Sequence, residues 1–180
     1  MHIDPIEQWP QIRHVFAAAF STSMHYAVAS IDKSGTPRVT PIGSVMLTTP
    51  GRGVFLQRFT TGLPQRVEYC DSIAILGVNS GRSFWFRSLF AGRFATPPGL
   101  RLNAKVVGAP RRPTANEIAR FRKRVRVFKR LRGYDLLWRD PGMARDFEVV
   151  SAEPIKLGEM TRGHWANLVA EPSIARLRRR

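Results

Sequence analysis

The chain has 180 residues, 43% of them hydrophobic, and its 29 Lys and Arg against 13 Asp and Glu leave a formal charge of +16 at pH 7. That length suits one domain with a full core, and no apolar run approaches the roughly 20 residues of a membrane-spanning helix. A single cysteine, Cys70, excludes an intramolecular disulfide and a multi-cysteine metal site, while the positive field favours anionic partners.

Asp4 and Glu7 stand where a secretory signal would be basic, so a cytoplasmic protein is expected. Residues 5–20 follow as an amphipathic helix, capped by Asp4, with Pro5 in its first turn and Trp9, Ile12, Phe16 and Phe20 at helical spacing. A strand is predicted over 24–32, then a turn at Asp32-Lys33-Ser34-Gly35, in which glycine can take a positive φ. The second strand covers 37–47. Pro41 lies inside it and cannot donate to a ladder, so this point should be a sheet edge or a bulge. A turn at 48–53 leads to a third strand at 54–58, then a loop and short helix up to Cys70, and a buried fourth strand from Ser72 to Val78.

Residues 80–98 carry five aromatics and three arginines between two strands, and read as a functional or self-packed loop. A half-exposed strand spans 100–109. Thr114-Ala-Asn-Glu117 is a capping box that opens a helix over 114–132, which Gly133 ends. This helix carries Arg120, Arg122, Lys123, Arg124, Arg126, Lys129, Arg130 and Arg132 against Glu117 alone, with Ile118, Phe121, Val125, Phe128 and Leu131 as one apolar stripe. A last strand spans 146–157, and the tail from Pro172 is Arg-rich. No repeat or linker divides the chain, so 1–180 is expected to be one domain.

This order of elements resembles the FMN-binding split barrel of pyridoxamine-phosphate-oxidase-like proteins. The residues that carry the likeness are Ala-Ser-Ile-Asp-Lys-Ser-Gly-Thr-Pro-Arg-Val-Thr-Pro-Ile-Gly at 29–43, Gly-Val-Phe-Leu-Gln at 53–57, a threonine-bearing loop and helix, and Asp71-Ser-Ile-Ala-Ile75. The resemblance implies a mainly β fold with flanking helices, a six-stranded antiparallel split β-barrel. It also implies a homodimeric flavoprotein that holds FMN between its subunits.

On the same likeness, the backbone of Thr40, Pro41, Ile42, Gly43 and Val45 would run along the flavin ring, with Arg38 beside it. Leu56 and Gln57 would meet the ring edge and ribityl chain, and Arg58, Thr60, Thr61 and Arg66 would serve the phosphate. Family members commonly place a lysine here; this chain has Thr61, Gly62 and Leu63, with Arg58 and Arg66 as the nearest cations. Phe84, Trp85 and Arg87 of the insert would form a lid or substrate wall, or else a dimer interface. Near the C-terminus, Arg162, Trp165 and Arg176 to Arg180 do not reproduce the segments of a true pyridoxamine phosphate oxidase, so vitamin B6 oxidation is not assigned.

The implied activity is flavin N5 hydride chemistry on a small molecule, for which no side chain needs to be a strong acid or base. The same barrel can bind haem or a deazaflavin, store flavin without catalysis, or serve as a scaffold for nucleic-acid binding. Haem would need His25 or His164 as an axial ligand. The basic helix lacks a recognition motif and reads as a solvated face rather than a nucleic-acid surface. His2, His14, His25 and His164 show no metal-ligand spacing, so no metal is expected.

Overall fold

The structure is a computed structural model that describes residues 3–58, 60 and 62–162. Helix α1 spans Trp9–Ser23, and strands β1 Tyr26–Ile31, β2 Pro37–Ile42, β3 Met46–Leu47 and β4 Arg52–Leu56 follow. After them come α2 Leu63–Tyr69, β5 Ser72–Val78, α3 Arg82–Phe90, β6 Gly99–Arg111, α4 Ala115–Val125, α5 Gly133–Trp138 and β7 Ala144–Pro154.

All strands join one antiparallel sheet in the order β2-β1-β5-β6-β7-β4-β3. Its two edge strands, β2 and β3, are joined by only Gly43, Ser44 and Val45. Seven flat strands would separate those edges by roughly 29 Å, at about 4.8 Å per strand. The four peptide steps from Ile42 to Met46 reach at most about 14 Å. The sheet must therefore curl, and it forms a half-barrel flanked by helices. Register shifts in the β6–β7 pair, at Asn103/Ala104 and between Val107 and Arg111, supply bends of the kind bulges produce.

Ser44 fastens the short connection. Its hydroxyl donates to the Leu56 carbonyl at 3.0 Å and accepts from the Leu56 N–H at 3.0 Å, imitating a strand pair across the gap. This explains why the sheet has seven strands rather than six. The expected strand 37–47 splits at 43–45, and its halves serve opposite edges. Pro41 then sits on an edge strand, where a missing N–H costs no ladder bond.

The main core lies inside the curl. Ile12 and Phe16 of α1 plug it against Val28, Phe55, Ile75, Leu102 and Phe147. A second cluster lies on the other face of β3, β4 and β7, where Met46, Val54, Leu56 and Ala144 meet Phe121 and Val125 of α4.

Three helices differ from expectation. Helix α1 starts at Trp9 with Pro10 in its first turn, because Asp4 instead closes a local turn by accepting from the N–H groups of Ile6 and Glu7. The expected loop 80–98 contains α3, whose Phe84 and Trp85 pack on the buried Phe94. The basic helix stops at Val125, passes through a 3-10 turn at Arg126–Phe128, and resumes as α5, which Gly133 opens rather than closes. That break returns Tyr134 and Trp138 to the second cluster, where Trp138 packs on Phe128. Among the described residues no helix is long and apolar enough to cross a membrane.

Candidate functional site

The end of β2 and the end of β4 meet across the Ser44 bridge. Above them lies a cavity of about 390 Å³, within the roughly 300–1,000 Å³ range of small-molecule sites. Pro41, Ile42, Gly43 and Ser44 form one side, and Leu56, Arg58 and Thr60 the adjoining one. Phe121 of α4, Phe128 of the 3-10 turn and Trp138 of α5 close the opposite wall, while Phe20, Met24 and His25 stand at the β1 end. Six sequence-predicted residues thus share one cavity: Pro41, Ile42, Gly43, Leu56, Arg58 and Thr60.

Local bonds shape this floor. Thr60 donates from Oγ1 to the Gln57 carbonyl at 2.9 Å, and the Gln57 N–H donates to the Met143 carbonyl at 2.8 Å. The Gln57 side-chain Nε2 is buried and has no hydrogen-bond partner among the described residues. Gln57 itself does not line the cavity. Arg58 forms an exposed ion pair with Asp140 at 2.6 Å and belongs to the cavity rim.

A second group forms around Arg66 on α2. Leu63 and Val67 bury one face of that helix, and Arg66 reaches across to the sheet. Its Nε donates to Ser30 Oγ at 2.8 Å and its Nη2 to Thr40 Oγ1 at 3.0 Å. Gly62, at φ +88°, leaves room for the remaining Nη1; a Cβ there would stand 2.7 Å from it. Arg66 has no carboxylate partner among the described residues. Arg66 and Gly62 line an open hollow together with Lys33, Arg38 and Asp32. Asp32 is already satisfied. Ser34 foremost, then Arg38 at 2.9 Å, hold its carboxyl below the usual carboxylate range, and this pairing occupies Arg38.

Thr61 lies outside the described residues, as do His164, Trp165 and Arg176 to Arg180. The Val45 side chain is in the main core, and only its carbonyl is engaged, accepting from Arg124. Phe84, Trp85 and Arg87 do not line the cavity; Trp85 Nε1 donates to the Asn79 carbonyl at 2.7 Å and Arg87 is exposed. Three contributors were not singled out from sequence. Ser30 looks like any polar residue of a strand, Lys33 like any turn residue, and of the aromatic wall only Phe121 and Phe128 were legible, as part of an apolar stripe, while Trp138 lies beyond it. No group of three His, Cys, Asp or Glu among the described residues is placed to hold a metal ion.

No family model matches the sequence, and no curated protein matches it. Solved structures do match. An FMN-binding protein from Syntrophomonas wolfei subsp. wolfei aligns over 84% of this chain and 90% of its own, with a TM-score of 0.59 at 9% identity. HupZ of Group A Streptococcus aligns over 79% and 92% respectively, with a TM-score of 0.51 at 13% identity. At these identities the likeness is one of fold, and the fold is the split barrel that the sequence resemblance implied.

Proposed function

We propose that this protein binds FMN, with the phosphate at Arg66, Ser30 and Thr40 and the ring in the cavity beside Pro41 to Ser44. The observation that carries this reading is the Arg66 guanidinium. Two of its N–H groups are fixed to the barrel, its charge has no carboxylate partner among the described residues, and the hollow before it also holds Lys33. An oxyanion suits such a group, since charge-assisted contacts to Arg are stronger than neutral ones.

When bound, the flavin would supply hydride exchange at N5 with a small molecule, which makes the protein an oxidoreductase. The chain's own part is to bind, orient and exclude water. Phe121, Phe128 and Trp138 offer an apolar wall for a planar partner, and the +16 charge would draw anionic ones. Edge strand β2 leaves Val39 68% exposed, a surface that a second copy would cover in a homodimer.

The test is the purified protein itself: flavin absorption bands, extracted FMN, and one FMN bound per chain on reconstitution. A colourless protein that takes up no FMN would sink the proposal. Haem in the same cavity is a second reading, favoured by one observation. His25 lines the cavity, and its Nδ1 donates to the Ser23 carbonyl at 2.7 Å, which leaves Nε2 with the free electron pair a metal needs. A Soret band abolished by His25→Ala would support haem and displace FMN.

A further inference from the structure

A separate cleft of about 460 Å³ opens between α1 and α4, beside β3. Four cationic or potentially cationic side chains line it: Arg13 and His14 from α1, Arg120 and Arg124 from α4. No Asp or Glu lines it, and none of the four is ion-paired with a carboxylate among the described residues. The acid nearest in sequence on α4, Glu117, is consumed by Arg111, which meets it at 2.7 Å.

Two of the arginines are held from behind. Arg120 Nη2 donates to the Leu47 carbonyl at 2.9 Å, while Arg124 Nη1 donates to the Val45 carbonyl and its guanidinium lies 4.6 Å from the centre of the Phe20 ring. These contacts prepay the ordering that binding would otherwise require. Arg124 is largely desolvated, and burial pushes its pKa down, yet arginine does not give up its proton. The one acidic hydroxyl nearby cannot compensate. Burial pushes the Tyr26 phenol up to about 12, and the hydroxyl donates to the Phe16 carbonyl at 2.9 Å. A desolvated cation without a counter-charge is costly until an anion joins it.

We propose that this cleft is an anion site, distinct from the flavin site, which takes the phosphate end of a small organic phosphate. A single carboxylate needs only one guanidinium fork. Three forks and an imidazole around one cleft match the several oxygens and multiple charge of a phosphate or diphosphate. Trp9, Pro10 and Ala17 give an apolar wall for the organic part.

The test is calorimetric titration of the full-length protein with inorganic pyrophosphate, using wild type, the Arg13→Gln/Arg120→Gln double variant, and Arg66→Gln. Wild type should bind one pyrophosphate at this cleft, counted apart from any uptake at the Arg66 hollow. The double variant should weaken it at least about tenfold, and Arg66→Gln should leave it unchanged. Should the double variant fail to fold, Arg13→Gln alone, at an exposed position, should still weaken binding severalfold. Adenosine diphosphate in place of pyrophosphate tells whether the body of the ligand also binds; equal or tighter binding, lost in the same variant, supports the site. No binding to wild type, equal binding to the double variant, or loss in Arg66→Gln instead would overturn it.

Discussion

Replacing Arg66 by glutamine should separate FMN from riboflavin, which differs from it by the phosphate alone. In the structure two guanidinium nitrogens are committed to Ser30 and Thr40, at 2.8 and 3.0 Å, so the Nη1 side is what remains for an incoming anion. A hydrogen bond to a charged group contributes about 1.5–3 kcal/mol, so FMN should bind roughly 10- to 150-fold more weakly. Riboflavin makes no use of that charge, and its affinity should change by less than about twofold. The assay is quenching of flavin fluorescence on titrating the apoprotein with each compound. The variant also leaves Ser30, 2% exposed, without its donor, so thermal unfolding should show a loss of about 1–3 kcal/mol. Riboflavin acts as the internal control for that loss. If both flavins weaken equally, Arg66 is only structural; if neither weakens, the phosphate lies elsewhere.

Gly62→Ala should act through the same group, because a Cβ at φ +88° would stand 2.7 Å from Arg66 Nη1. Backbone strain should cost about 1–2 kcal/mol in denaturant unfolding, and FMN should weaken while riboflavin does not. Gly53→Ala would put a Cβ 2.2 Å from Phe147 Cζ in the core, so urea unfolding should show a destabilisation of about 1–3 kcal/mol; an unchanged midpoint would contradict this packing. Glu117 is held at a pKa of about 2, against an ordinary 4.5, chiefly by its hydrogen bonds with Arg111. Its stabilising contribution is therefore full above pH 4.5 and lost as pH falls toward 2. Glu117→Gln should lower stability at neutral pH by no more than about 3 kcal/mol and flatten the melting profile across that acid range, as read by scanning fluorimetry.

Elements governed by local chemistry were legible in the sequence. Strand β5 runs over Ser72–Val78 as the Ile- and Val-rich run predicts. The Thr114–Glu117 box makes both of its reciprocal bonds and starts α4 where expected. What was not legible depends on partners far along the chain. Pro41 marks an edge, but Val45 and Leu47 continue the apolar spacing of Val39 and Ile42, so nothing local shows that the chain changes sheet edge at 43–45; the mark is Ser44 bonding to Leu56, twelve residues on. The end of α4 at Val125 is hidden for the same reason. The basic run continues past it, and only the return of Trp138 to Phe128 requires the turn.

The same division separates the two ends of the candidate site. Arg66 and Thr40 belong to the segments that carry the family likeness, and the strand pair β1–β2 sets Ser30 beside Arg38 and Thr40 opposite Val28. The anion-facing end is therefore built from barrel strands and from a helix pinned by Leu63 and Val67, both nearly fully buried. The opposite wall of the cavity beside Pro41 to Ser44 comes instead from α4, the 3-10 turn and α5, outside the curl. There Leu137 is 48% exposed and lines the cavity, and an exposed Arg58–Asp140 pair bounds its rim. A rigid core fixes an anchor with little tolerance, whereas a wall of peripheral helices can change its side chains without disturbing the barrel. On the proposed FMN reading, the phosphate anchor would follow from the barrel residues, and the choice of reaction partner would fall to Phe121, Phe128, Leu137 and Trp138.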